Sequence, residues 1–97
     1  MGCIEELTYD IIEKGLSFPE SRLFIEKNYS EVYHIMPGTK IFGDPLIGPP
    51  PIAIGIEGDR VVFPYVKPCH GTFLLSIEDP DEALRIRKTA KFAGRKK

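Results

Sequence analysis

Short runs in which apolar residues alternate with polar or small ones recur in the second half of this chain, and this spacing is typical of β-strands. Residues 52–57 (IAIGIE) and 60–65 (RVVFPY) are two such runs. Between them stands Gly58-Asp59, a two-residue hairpin signal in which glycine takes a positive φ without a steric clash. Residues 72–77 (TFLLSI) supply a third run. The pattern predicts an antiparallel meander over 52–57, 60–65 and 72–77.

The N-terminal third predicts one or two further strands. In residues 5–14, Leu7, Tyr9 and Ile11 occupy alternate positions, which favours a strand, although Leu7 and Ile11 also fit a helical stripe. Residues 31–36 (EVYHIM) favour a short strand at an edge of the sheet, ended by the Pro-Gly pair that follows.

Two helices are predicted from their capping residues. Ser17 and Glu20 have the spacing of a capping box, and the proline at position 19 is tolerated in a first turn. Asp79 or Asp81 can cap a second helix, whose acidic start and basic end match the helix dipole.

These elements predict an α+β fold with a mostly antiparallel sheet of about four strands and two helices packed on one face. A chain of 97 residues holds one domain, which we assign to residues 1–90, and residues 91–97 are expected to form a basic, frayed tail.

Charge is divided unevenly along the chain. Residues 1–84 hold six basic and fourteen acidic residues, a balance of −8, and residues 85–97 hold seven basic residues and no acidic one. No apolar run approaches the roughly 18 residues of a membrane span, and no secretory signal pattern is present. We therefore expect a cytoplasmic protein with reduced thiols and no membrane contact.

Cys69 and His70 are the candidate catalytic residues. A thiolate is a useful nucleophile, and Lys67 or a histidine brought close by folding favours it. Neighbouring residues of a strand point to opposite faces, so His70 activates Cys69 directly only if the turn bends them together. In the alternative interpretation this is a tight turn in which Cys69 packs as a small apolar group. No motif of a known cysteine enzyme surrounds it.

No metal or cofactor is predicted. Cys3, His34, Cys69 and His70 are the four possible ligands with sulfur or imidazole groups, and they lack any chelating spacing. The glycine-rich loops that cradle nucleotide phosphates are also absent from the sequence.

Two segments are candidates for binding a macromolecule. The Pro-Pro-Pro run at 49–51 can dock in a partner's groove or pack on the domain's own sheet, and Pro49, Pro50 and Lys67 are the candidate partner-binding residues. The basic residues from Arg85 onward can neutralise phosphates, although the acidic body repels a polyanion and Phe92 alone is available there for base stacking.

Six motifs stand out along the chain: SFPE at 17–20, FIEKN at 24–28, PG-x-KIF at 37–42, PPI at 50–52, GD at 58–59 and KPCHGTF at 67–73. Together they resemble a family of small uncharacterised proteins of methanogenic archaea. The resemblance implies a compact α/β domain with two helices and a mostly antiparallel sheet, cytoplasmic, and linked to methanogenesis by occurrence. It transfers no catalytic residue.

The leading hypothesis is an accessory or protein-interaction domain that supports methanogenesis, because no catalytic signature is present. Whether the protein is an enzyme stays open. The alternatives are a small enzyme or cofactor-binding protein that uses Cys69 and His70, and a nucleic-acid-binding protein that uses the basic C-terminus.

Overall fold

A computed structural model describes residues 8–67 and 71–94 of the chain. In this part the chain folds into ten elements, and all strand pairs are antiparallel. The elements are β1 (Asp10–Lys14), α1 (Phe18–Asn28), β2 (Glu31–Ile35), β3 (Lys40–Ile41), β4 (Asp44–Pro45), β5 (Ile52–Glu57), β6 (Arg60–Lys67), β7 (Gly71–Glu78), α2 (Pro80–Thr89) and β8 (Lys91–Gly94).

The main sheet has six strands within the described residues, in the order β1-β7-β6-β5-β2-β8. Its centre is the predicted meander of β5, β6 and β7, which the structure confirms. Gly58 in the β5–β6 turn has a φ of 64°, a backbone conformation that favours glycine. The α+β class and the antiparallel sheet are confirmed, but the expected count of about four strands is wrong.

The two helices pack on opposite faces of the sheet, which corrects the expectation of a single covered face. Helix α1 packs on the face that carries Val32, Ala53, Val62 and Leu74. Helix α2 packs through Ala83 and Ile86 on the other face, which carries the larger apolar cluster. Since β5 is buried from Ile52 to Ile56 without interruption, both of its faces need a cover.

Helix α1 begins as the capping box predicts. The Ser17 hydroxyl accepts the Glu20 amide at 3.2 Å, and the Glu20 carboxylate accepts the Ser17 amide at 2.9 Å. The helix then crosses β5 closely, with Ile25 and Tyr29 over Gly55. Helix α1 thus covers the middle of the sheet.

Helix α2 is capped by Asp79, whose side chain accepts the amides of Asp81 and Glu82. Arg87 in its last turn donates to the Glu31 carboxylate and to the Gly58 carbonyl. These contacts fix α2 to the start of β2 and to the β5–β6 turn.

The Glu31 carboxylate also accepts the buried Tyr33 hydroxyl at 2.7 Å. Burial, together with this hydrogen bond and the negative charge of Glu31, raises the pKa of Tyr33. The phenol therefore stays neutral beside the ion pair of Glu31 and Arg87 and completes a polar network at this end of β2.

Strands β3 and β4 form a separate hairpin over the face that α2 covers. Phe42 and Gly43 link them with φ values of 54° and 84°, the signature of a type I′ turn. The Phe42 ring packs on Phe63 with 5.6 Å between ring centroids. The hairpin therefore inserts an aromatic ring into the core.

Two predictions for the C-terminal side of the sheet differ from the structure. Residues 91–94, expected in a frayed tail, form β8 and pair with β2. The Phe92 ring meets Tyr33 edge-on with 5.4 Å between centroids, which gives the short strand an apolar anchor. Strand β2 consequently lies between β5 and β8 and is not at an edge. No helix in the described residues is long and apolar enough to cross a membrane.

A candidate ligand cleft

An open cleft of about 380 Å³ lies between the end of β2, strand β3 and the last turn of α2. This volume falls within the range of about 300 to 1,000 Å³ that small-ligand sites occupy. The first residue of β8 closes one side. The lining residues are His34, Ile35, Met36, Thr39, Ile41, Arg85, Ile86, Thr89, Ala90 and Lys91.

The floor of the cleft is apolar because it is the margin of the main core. Ile35, Ile41 and Ile86 belong to the same buried cluster. Met36 stands at the mouth with 60% of its side chain exposed. An apolar floor under a polar rim suits a ligand that carries both kinds of group.

The charged residues that line the cleft are basic. Arg85 and Lys91 carry positive charge, His34 can carry one, and no carboxylate is among the described lining residues. Lys91 is exposed and makes no side-chain hydrogen bond or ion pair in the described part of the chain. The rim therefore favours an anionic group over a cationic one.

Arg85 is held in place by two neighbours. Its guanidinium donates to both oxygens of Glu82 and, at 2.8 Å, to the Lys40 carbonyl. The hydrogen bond and the charge of Glu82 raise the pKa of Arg85 despite its partial burial. Arg85 is thus a fixed cation in the cleft wall, and part of its charge is already balanced.

The Glu82 carboxylate connects α2 to the β3–β4 hairpin. Besides Arg85 it accepts the Phe42 amide at 2.9 Å. Burial raises the pKa of Glu82, but the hydrogen bonds from Arg85 and Phe42 outweigh this effect, so the pKa lies below its ordinary value. The two walls of the cleft are therefore joined by one ionised side chain.

His34 lies at the far side of the cleft and points toward α1. Its Nε2 donates to the Glu26 carboxylate at 3.0 Å, and both side chains are about one-third exposed or less. This contact assigns the imidazole a structural partner on α1. His34 therefore lines the cleft at the end of β2. Its imidazole is bound to Glu26 and is not a free base in the cleft.

The cleft offers charged and apolar groups that can bind a ligand. Thr89 donates its hydroxyl to the Arg85 carbonyl at 2.9 Å, and none of the described lining residues pairs a nucleophile with a base. No group of three or more possible metal ligands occurs among the described residues.

Pro49 and Pro50 are not among the residues that line this cleft. Cys69 and His70 are outside the described residues, so their catalytic role stays a prediction. Lys67 is the last residue of β6 and pairs with Gly71. Pro49 and Pro50 are exposed in the loop between β4 and β5, as is Ile47 at 71%.

The hypothesis that Cys69 is an activated thiol can be tested without knowing which groups surround it. An activated thiol reacts with a disulfide reagent faster near neutral pH than a free model thiol does, because more of it is ionised. Labelling rates against pH, measured for the protein and for its Cys3→Ser and Cys69→Ser variants, assign the reactive group. A Cys69 rate no higher than that of the model thiol contradicts the enzyme alternative.

Sequence reasoning missed the residues that line the cleft. The sequence predicts Arg85 and Lys91 as complements of a helix dipole, as part of a basic tail and as residues that can neutralise phosphates, but not as part of a cleft. The hydrogen bond between Arg85 and the Lys40 carbonyl spans 45 residues, and such a contact exists only once α2 has packed against β3. The one sequence signal was the absence of acidic residues after Glu82.

Comparison with known proteins gives two matches. The sequence profile of a family described as a domain of unknown function, DUF1894, matches residues 1–87. An uncharacterized protein of Methanocaldococcus jannaschii, a methanogenic archaeon, is 47% identical over 78 residues, which are 79% of this chain and 72% of that protein. No solved structure matches the chain. Neither match brings an activity, so function has to be argued from the cleft.

Proposed function

This chain belongs to the DUF1894 family of domains of unknown function, and we propose that it is a non-enzymatic protein-interaction domain whose cleft binds an acidic segment of a partner. The observation that supports the proposal is the basic rim of the cleft beside strand β8. The Lys91 side chain lies toward the α1 face of this edge and is available to a carboxylate, and the isoleucine floor on the α2 face is available to apolar side chains of the same segment, because alternate residues of an extended segment point to opposite faces.

An extended segment fits this place better than a compact surface does. Strand β8 has β2 on one side only, so its other edge offers backbone donors and acceptors within the described part of the sheet. A segment that passes along this edge reaches Lys91 at the start of the strand. Main-chain hydrogen bonds then supply affinity, and the basic rim supplies selectivity for acidic residues.

The cellular setting that we propose is an accessory role in the cytoplasm of a methanogen. The 47% identical relative from a methanogenic archaeon supports this setting. The binding proposal does not depend on it, because the cleft is a property of the chain itself.

We expect a short fluorescent peptide of alternating Glu and Val to bind, and the same peptide with Lys in place of Glu not to bind. Binding should weaken as salt is added, because exposed charges are screened. Lys91→Glu should weaken binding by about tenfold or more, as expected when a favourable charge contact becomes repulsive. Fluorescence anisotropy at low protein concentration measures each dissociation constant.

The matched control is Lys88→Glu, because Lys88 is exposed on α2 and does not line the cleft. It changes the net charge equally and should weaken binding much less. Equal binding of the acidic and basic peptides contradicts the proposal. An RNA oligonucleotide that binds more tightly than the acidic peptide also contradicts it and supports the nucleic-acid alternative instead.

A further inference from the structure

The six-stranded sheet ends in two open edges of opposite character. Strand β1 pairs only with β7, and β8 pairs only with β2, among the residues that the structure describes. All five residues of β1 are exposed. An exposed strand edge is a template on which another strand can pair.

Opposite charge distinguishes the two edges. Strand β1 contains two carboxylates and one lysine, and strand β8 contains one lysine and no acidic residue. Within the described strands, Glu13 and Lys91 are exposed representatives of the two signs. Opposite charges across a strand pair stabilise it, whereas like charges destabilise it.

The register of the sheet shows which residues lie level at the two edges. Strand pairing links Asp10 through Ser76, Val62, Gly55 and Val32 to Gly94 in one continuous row. Counted one step along each strand from that row, Ile11 pairs with Leu75 at one edge and Phe92 pairs with Tyr33 at the other; one step further, Glu13 pairs with Leu74 and Lys91 pairs with His34. A copy placed beside the first at the same level thus sets Ile11 opposite Phe92 and Glu13 opposite Lys91.

The side chains in these rows also share faces. Ile11 pairs with Leu75, and Phe92 contacts Tyr33. Leu75 and Tyr33 both belong to the buried cluster on the α2 face. Ile11 is 52% exposed and Phe92 is 47% exposed, so a contact between them buries surface on both.

Glu13 and Lys91 lie on the other face, the one that α1 covers. Glu13 pairs with Leu74 of the α1 cluster, and Lys91 pairs with His34, whose imidazole contacts Glu26 of α1. A second copy at the same level therefore brings an apolar pair together on one face and an ion pair on the other.

We infer that copies of this chain associate head to tail, with β1 of one copy pairing antiparallel to β8 of the next. Five antiparallel steps separate β1 from β8, so the two strands run in opposite directions in one molecule. A neighbour that continues the twist of the sheet presents them to each other as an antiparallel pair. The occupant of each edge is thus the opposite edge of a second copy.

Charge selects this arrangement over a two-fold dimer. A β8–β8 dimer brings two positively charged strands together, and a β1–β1 dimer brings together two strands of net negative charge. The head-to-tail contact is heterologous, so it can repeat along a row of copies. Three level pairs make a short contact, and we expect association that depends on concentration and weakens with salt.

The test is sedimentation velocity over a range of protein concentrations at low and high salt. The average mass of the natural chain should rise with concentration at low salt and less so at high salt. Glu13→Lys and Lys91→Glu should each weaken association by about tenfold, because each places like charges opposite one another. Far-UV circular dichroism confirms that both exposed substitutions leave the fold intact.

Charge reversal at both positions provides the decisive comparison. The double variant Glu13→Lys/Lys91→Glu should recover association, and so should an equimolar mixture of the two single variants. Glu57→Lys, at an exposed position away from both edges, is the control for net charge. A chain that stays monomeric at all concentrations, or a double variant that fails to recover, overturns the inference.

A second copy and the acidic peptide both use the β8 edge, so the two compete there. Glu13 lies at the β1 edge and does not line the cleft, so Glu13→Lys should weaken association about tenfold and leave the β8 edge available to the Glu-Val peptide. Weakened association in this variant with intact peptide binding supports both claims. Association of the natural chain, together with no peptide binding by Glu13→Lys, overturns the proposed function alone.

Discussion

Gly55→Val is expected to lower the free energy of unfolding by about 2 to 3 kcal/mol, the upper part of the range for overpacked cores. Gly55 lies in β5 directly beneath α1. A Cβ atom at this position meets the Tyr29 Cγ at 3.0 Å and the Ile25 Cγ2 at 3.1 Å, closer than most carbon contacts in proteins. The two methyl groups of valine add to this overlap, so α1 has to move away from the sheet.

Urea unfolding followed by circular dichroism measures this loss, with Glu57→Val as the control. Glu57 is exposed in the same strand, so its substitution tests valine in β5 without the contact to α1. The double variant Gly55→Val/Tyr29→Ala should lose less stability than the sum of the two single variants, because removing the ring makes room for the valine. If Gly55→Val is as stable as the natural chain, the close packing of α1 on β5 is wrong.

Features set by neighbouring residues were predictable from the sequence. The Ser17 and Glu20 capping box and the Gly58-Asp59 hairpin each depend on a few adjacent residues, and both occur where the pattern placed them. Local geometry decides these features, and tertiary packing only has to be compatible with them.

The sequence contains a signal that both faces of the sheet are buried, and the prediction of one covered face gave this signal too little weight. The run Ile52-Ala53-Ile54-Gly55-Ile56 has no polar residue on either face, which is typical of a strand covered on both sides. Treating it as a strand with one buried face led to two helices on the same side. The apolar residues at even positions pack in the α2 cluster, and Ala53 packs in the α1 cluster.

Strand β8 and the cleft could not be predicted from the sequence, for a different reason. The KFAG segment at 91–94 is too short for a periodicity, and its pairing depends on Tyr33, almost sixty residues earlier. The cleft likewise requires α2 to lie beside the β3–β4 hairpin. Its basic character was predictable from the charge distribution, but its position was not.

Glu82→Gln is expected to lower the free energy of unfolding at neutral pH by about 1.5 to 3 kcal/mol, the range for hydrogen bonds to a charged group. The carboxylate is only 14% exposed, and it accepts hydrogen bonds from Arg85 and from the Phe42 amide. Phe42 has a φ of 54°, which is unfavourable for a bulky side chain, so the turn depends on contacts of this kind. Glutamine keeps an acceptor but removes the charge that Arg85 pairs with.

The loss should depend on pH in a definite direction. The pKa of Glu82 in the folded protein lies below its ordinary value of 4.5, so the unfolded chain binds the proton more readily. The contribution of Glu82 to stability is therefore fully present above pH 4.5 and is lost as the pH falls through the folded pKa. The difference in unfolding free energy between the natural chain and Glu82→Gln should accordingly shrink in acid.

Urea unfolding at neutral pH and at several pH values below 4.5 measures this difference. Glu57→Gln is the control, since Glu57 is exposed and should change stability by less than about 0.5 kcal/mol. Glu82→Ala removes the acceptor as well as the charge, so it should lose more stability than Glu82→Gln. It should also weaken binding of the acidic peptide, because Arg85 and the β3–β4 hairpin no longer share a hydrogen-bonding partner. A constant difference between the natural chain and Glu82→Gln at all pH values contradicts the role of the ionised carboxylate in joining the two walls of the cleft.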